Sequence, residues 1–553
     1  MRLFKRKGRS ISALVLTVGM VMAVASGCTN TSAPNGEKEI ASGNGGTEKT
    51  AIPTKGGAIR IAIPEEPDTL DVQQSAMSMT DKISRFFGSN LVTMDPDTKE
   101  LKPSLAENYT ASEDGQSITF KLRSGITFHD GTPLNAMAYK DTFDRLLDPK
   151  TMAKGIAQQL NVIESVSVTD DQTFVVHLKE PFAPFLYYLS TNAGQALSME
   201  AVKKYGADYG RNPVGVGPWQ FEEWKTGEAI SFVRNDGFQW ADPFYENQGP
   251  ARADKLQFKI IKDKQTTIAA LESGSVDIAP FVEAKDVKKL RNHPDYYVVE
   301  EVKSGLGLFV SLNTESELLM DLQVRKALNL AINKEAIIQA QLQGEGVVAD
   351  GPLSPSVFGY DQAVEAYGYT YDLVEAQELL AAAGWTKNAS GHLEKGGKEL
   401  ALRLLTDNTY SKAAQLIQAM LDEVGIDVQI ETMDFATLLE KGANGDFDLA
   451  LMGYTYEDPD ILYLLLHSSQ IGGLNLSRVQ DSELDALLTK GRKTIDSGER
   501  KKIYADAQKR IVEQTYWIPV YADKQFHIVN KKVQGVKVSA GLWYLHDSWV
   551  AGK

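Results

Sequence analysis

Seven histidines are scattered through the 553 residues of this chain. No two stand three or four apart, so no helix presents the paired imidazoles of a metalloprotease-type zinc site. No Gly-x-Ser-x-Gly elbow with plausible partners occurs, and no Walker loop, so the sequence reads as a non-enzyme that needs no cofactor and no metal. The side chains that remain suit binding. Tyr454, Tyr456, Glu457 and Asp458 set aromatic faces beside carboxylates, a combination that holds an organic ligand carrying a positive group. Asn475 and Arg478 follow, and a guanidinium can clamp a ligand carboxylate through two parallel bonds. Each has a bland counterpart: packing for the tyrosines, a cap on the helix that Pro459 begins for Asp458, a surface ion pair for Arg478. His467, after the apolar run Ile461 to Leu466, reads as a packed helix end rather than a metal ligand.

The elements that must position these groups follow from periodicity. Asp446 to Met452 is a strand, so the Tyr454 to Asp458 loop leaves a strand at its carboxyl end, where ligands of α/β domains collect. Short apolar runs at Ala58–Ile63, 117–122, 173–178, 230–234, 256–261, 276–279, 308–312, 401–405 and 428–430 are strands, with two more at 518–521 and 527–529. Gly-containing turns around Ser117–Leu122 make a hairpin there. Apolar residues at helical spacing predict helices near 81–87, 135–147, 264–273, 321–339, 373–383, 410–424, 435–441, 482–493 and 497–514. Strands alternating with helices imply an α/β layer architecture with a largely parallel sheet.

The amino terminus says where the chain works. Arg2, Lys5, Arg6, Lys7 and Arg9 precede an apolar run from Ile11 to Ala25, too short to span a bilayer comfortably, and then Ser26-Gly27-Cys28. This is the pattern of a secretory signal, and it resembles the lipobox of bacterial lipoproteins, with Ala25 in place of the usual leucine. That resemblance implies a lipid-modified Cys28 at a mature amino terminus; the alternative is a cleaved signal with an incidental cysteine. Residues 29–57, rich in Thr, Ser, Asn, Gly, Pro and Lys, form a flexible tether with almost nothing to bury. Cys28 is the only cysteine, so internal disulfides are excluded. The formal charge of −15 argues against nucleic acid and against peripheral binding to anionic lipid.

Four stretches together resemble one family, the large extracytoplasmic solute-binding proteins of ABC importers that handle oligopeptides, dipeptides and nickel. They are Leu105 to Pro149, with its Ser-x-Asp-Gly turn and Phe128-His129-Asp130-Gly131-Thr132-Pro133-Leu134; Val214 to Trp219 with Asn235 and Trp240; Val324 to Lys334; and Phe447-Asp448-Leu449 leading to Asp458-Pro459-Asp460. The resemblance implies a two-lobed periplasmic-binding-protein-like fold (class II, cluster C type) with an extra domain in the first lobe. Lobe one then spans 58–304, with the extra domain at about 90–210, lobe two spans 305–523, and 524–553 returns to lobe one. It implies that the loop at Gln73, Gln74 and Ser75 lines the cleft, with Phe86 and Phe87 as a wall. In peptide-binding relatives an aspartate shortly before the Asp-Pro pair holds the peptide amino group; here the loop is about two residues shorter and Glu457 or Asp458 takes that place. The function implied is a monomeric, membrane-anchored binding component that captures a peptide or similar small zwitterionic solute and delivers it to an ABC permease. A nickel chelate or opine-type metallophore, an oligosaccharide, or a sensory lipoprotein role are the alternatives.

Overall fold

The computed structural model describes residues 52–552, which form one compact unit. The signal, Cys28 and most of the tether lie outside the described residues. Among the described residues no helix is long and apolar enough to cross a membrane.

The first strand, Ala58–Ile63, buries Ile59, Ile61 and Ile63. Its one charge, Arg60, is matched by the fully buried Asp277, which accepts from the Arg60 backbone N–H, Nε and an Nη, each at 2.9 Å. This strand pairs in parallel with Lys255–Ile260, which runs antiparallel to Ala229–Arg234, itself antiparallel to Trp219–Lys225. Together they form the sheet of lobe one. In lobe two, Ala401–Asp407 pairs in parallel with Asp427–Met433 and Leu449–Tyr454, and Leu449–Tyr454 runs antiparallel to Gly307–Leu312. The sheet is thus mixed, with parallel pairs at four contacts only, which corrects the expectation of a largely parallel one.

Both lobes meet on a single strand. Trp517–Asn530 was expected as two short strands; it is one strand of 14 residues. Its first part pairs with Gly307–Leu312 of lobe two, and its last part with Tyr296–Val302 and Ile278–Ala279 of lobe one. Gly305 stands just before the strand Gly307–Leu312. Gly305 has φ +119° and lies so close to the Tyr454 carbonyl that a Cβ would sit 2.2 Å from its oxygen, so only glycine fits. A separate four-stranded antiparallel sheet, in the order 106–111, 117–122, 173–178, 163–168, carries its own aromatic core of Phe120, Tyr139, Phe143 and Phe174. The helix expected over 321–339 is two, Leu322–Ala331 and Lys334–Leu342, because Asn333 caps the second by accepting from Ala336 N–H.

Candidate functional site

Helix Ser78–Phe87 brings the first half of the site. It is strongly amphipathic: Met79, Ile83, Phe86 and Phe87 are buried in lobe one, each worth about 1.5–3 kcal/mol on burial. Asp81, Lys82 and Arg85 occupy the opposite stripe at i, i+1 and i+4. Arg85 lies 3.6 Å from Asp81, and Asp81 accepts from the Asn192 backbone N–H at 3.0 Å. Lys82 donates to the Gly541 carbonyl at 2.9 Å.

Lobe two supplies the facing groups from the loop after Leu449–Tyr454. Glu457 accepts from the Tyr187 hydroxyl at 3.3 Å, and the Tyr456 and Tyr188 hydroxyls are 2.6 Å apart. Tyr187 and Tyr188 stand on the short helix Pro184–Leu189, so these contacts span the cleft. Tyr454 packs edge-on to Phe435 at 5.7 Å, and its hydroxyl is buried without a partner. Glu457 is close enough to Lys82, Arg85 and Lys99 to support the charge on each. Burial pushes the Glu457 carboxyl above the usual range, and Asp81 adds to this against the pull of Arg85 and Lys82. Burial lowers Lys82 and Lys99. Burial also works against the Arg85 charge, but Asp81, Tyr544, Glu457 and Tyr187 outweigh it and raise its pKa. The cleft therefore gathers three cations and at least two carboxylates in a half-buried setting.

One cavity touches this cluster at Lys99 and Tyr187, and a second opens beside Gly453 and Phe435. The first, of about 270 Å³, lies between Leu101, Tyr109 and Tyr187 on one side and Phe358, Asp496 and Arg500 on the other. The second, of about 360 Å³, lies at the carboxyl ends of the parallel strands of lobe two, beside Asp407, Asn408, Tyr410 and Phe435. Among the described residues no group of three or more His, Cys, Asp or Glu could hold a metal ion.

The expected site residues divide. Tyr454, Tyr456 and Glu457 stand together at the cleft. Asp458 does not join them: it is buried in a two-pronged pair with Arg500, at 2.6 and 2.7 Å, and caps the following turn through the Asp460 N–H at 2.8 Å. Asn475 is buried and spends its amide on the carbonyls of Leu466, His467 and Val479. Arg478 is engaged by Glu315 and by the Ala443 carbonyl. Gln74 donates to the Thr151 carbonyl at 3.0 Å. Gln73 donates to the Thr142 carbonyl, and the Ser75 hydroxyl is held by Asp68 and Thr80, so this loop is tied into lobe one. Phe86 and Phe87 pack into the core of lobe one, the first against Trp219 and Phe258, the second stacked on Phe232. Sequence reasoning missed Lys82, Arg85, Tyr187 and Tyr410. The signal for the first two was the charged i, i+4 stripe on an otherwise apolar helix.

Two lobes joined through a shared strand, with charge and tyrosine facing across the gap, define a hinged solute-binding protein. Residues 100–473 match the bacterial extracellular solute-binding proteins, family 5, and the chain belongs to that family, the solute-binding components of ABC importers. It is 30% identical over 480 residues to the Heme-binding protein A of Haemophilus influenzae, covering 81% of this chain and 83% of that protein. It is 28% identical over 503 residues to the Glutathione-binding protein GsiB of Shigella flexneri, covering 88% of this chain and 92% of that one. The solved structure of HbpA2 from Haemophilus parasuis superposes with a TM-score of 0.81 at 25% identity, covering 89% of this chain and all of that one.

Proposed function

We propose that this chain is the membrane-tethered binding component of an ABC importer for a small zwitterionic peptide bearing more carboxylates than amino groups, of the glutathione type. The observation that carries this is geometric: Asp81, Lys82 and Arg85 share one helix, with Arg85 3.6 Å from Asp81, and stand opposite Glu457, which accepts from Tyr187 across the cleft, with Lys99 also within reach of Glu457. A solute with both signs of charge satisfies both sets, whereas either sign alone leaves half-buried charge unpaired. The relative named for glutathione supports the ligand class. In this reading residues 58–304 and 524–553 make lobe one, 305–523 make lobe two, and Gly305 and the strand Trp517–Asn530 form the two crossings. The lipid on Cys28 and residues 29–57 hold the body at the outer face of the membrane, and the loaded, closed monomer docks on the permease.

Isothermal calorimetry of the purified chain with glutathione tests the ligand class. Glutathione should bind one to one with no added metal. Glu457→Gln should lose about ten- to a hundredfold in affinity, the worth of a hydrogen bond to a charged group, with a smaller loss for a ligand whose amino group is acetylated. Haem binding tightly while glutathione does not bind would overturn the reading in favour of the function that Heme-binding protein A is named for.

A further inference from the structure

Behind Arg85, inside lobe one, lies a cavity of about 60 Å³. Its walls are aromatic, formed by Phe86, Trp219, Phe238, Trp240, Trp543 and Tyr544. Three polar atoms on its lining residues are buried with no hydrogen-bond partner: Arg85 Nε, Trp219 Nε1 and Asn90 Oδ1. Trp219 is 1% exposed and Asn90 7%, so neither atom turns to bulk water.

Several neighbouring polar groups are already engaged. Asn90 Nδ2 donates to the Ser190 carbonyl, Trp240 Nε1 to the Val216 carbonyl at 2.8 Å, and Asp242 accepts from the hydroxyls of Thr93 and Ser104. Among the fully buried polar atoms, what is left over is two N–H donors, one of them on a guanidinium, and one amide oxygen; the Ser89, Tyr245 and Tyr544 side chains also line the chamber. Each such orphan costs about 1–3 kcal/mol if nothing meets it, so three around one small chamber point to an occupant. Two donors beside a fixed positive charge complement a carboxylate, and the amide oxygen complements an N–H close to it. A volume of about 60 Å³ admits a carboxymethyl group, or about four waters at roughly 15 Å³ each, but no larger side chain. Arg85 also faces the cleft through Asp81 and Glu457, so it joins the chamber to the solute site.

We propose that this chamber is a side pocket of the solute site that receives a carboxymethyl-amide end, –NH–CH2–COO⁻, as in a peptide ending in glycine. The carboxylate accepts from Arg85 Nε–H and Trp219 Nε1–H, and the amide N–H donates to Asn90 Oδ1. The inference rests on the peptide reading above and narrows it: the terminal residue is glycine because a side chain does not fit. Trp219→Phe removes the indole donor and some ring volume from the chamber, and the loss of volume weakens both ligands alike. It should weaken glutathione by about tenfold or more beyond the loss seen for glutathione carrying a carboxamide at its glycine end, whose binding is already weak. Equal losses for both ligands, no loss for either, or full-strength binding of a peptide with leucine in place of glycine would overturn the pocket while leaving the peptide reading intact.

A second measurement needs neither a variant nor a peptide. Acetate titrated into the nitrogen-15-labelled chain should shift the indole N–H resonance of Trp219, assigned by its absence from Trp219→Phe. If glutathione fails to bind, the peptide reading falls and the acetate titration alone decides the chamber. A Trp219 resonance indifferent to acetate overturns it.

Discussion

His129 illustrates what one ring can do to stability. Its Nε2 donates to the Gly217 carbonyl at 3.0 Å while Nδ1 is buried without a partner, and burial lowers its pKa from 6.5 to about 4. A lowered pKa means that the unfolded chain binds the proton more readily. The stabilising contribution is full above pH 6.5 and is lost as the pH falls through about 4. Between pH 7 and pH 5 this costs about 2 kcal/mol, so urea midpoints should fall over that interval in the parent chain and fall less in His129→Gln. Asp458 and Arg478 test the residue scale from another side. Asp458→Ala leaves the buried Arg500 unpaired and should cost about 3–5 kcal/mol. Arg478→Ala breaks a pair with the 41% exposed Glu315 and should cost under about 1 kcal/mol, with glutathione affinity unchanged in calorimetry. Nothing local distinguishes these two residues in the sequence. Their partners lie 42 positions downstream and 163 upstream, and only the fold brings them together.

At the scale of elements, strands and helices were legible wherever one periodicity ran uninterrupted. Ala58–Ile63, Ala136–Leu147 and Ser482–Lys493 stand within a residue or two of where their patterns placed them. The failures have physical causes. Trp517–Asn530 looked like two strands because Asp523, Lys524 and Gln525 interrupt its apolar run, and that polar stretch is where the strand passes from one lobe to the other. Leu322–Leu342 looked like one helix because its apolar spacing continues through Asn333, whose capping bond breaks it. Of the site, the groups after Leu449–Tyr454 are legible because they follow the carboxyl end of a strand. The same rule applied to Ala401–Asp407 and Asp427–Met433 points to Tyr410 and Phe435. At Gly305 the backbone pass admits no side chain, so Gly305→Ala should lower the melting temperature and displace the Tyr454–Glu457 loop, weakening ligand with it.

At the scale of the molecule, the proposed two crossings and charged cleft imply an open–closed equilibrium that a bridging solute would shift. The lobes already touch through Tyr456 and Tyr188, through the Ala183 N–H on the Arg492 carbonyl at 2.7 Å, and through Lys501 and Glu100 at 3.0 Å. Ligand should compact the chain further, seen as a smaller radius of gyration by X-ray scattering. If the cleft holds a small zwitterionic peptide, native mass spectrometry of the chain purified without denaturant will find it bound. One adduct per chain is expected, released on unfolding and identified as a short peptide with a free terminal glycine, and exchangeable for added glutathione. An adduct that is haem, a metal chelate or a sugar, or a chain that takes up no glutathione when it is added, would contradict a peptide-binding cleft.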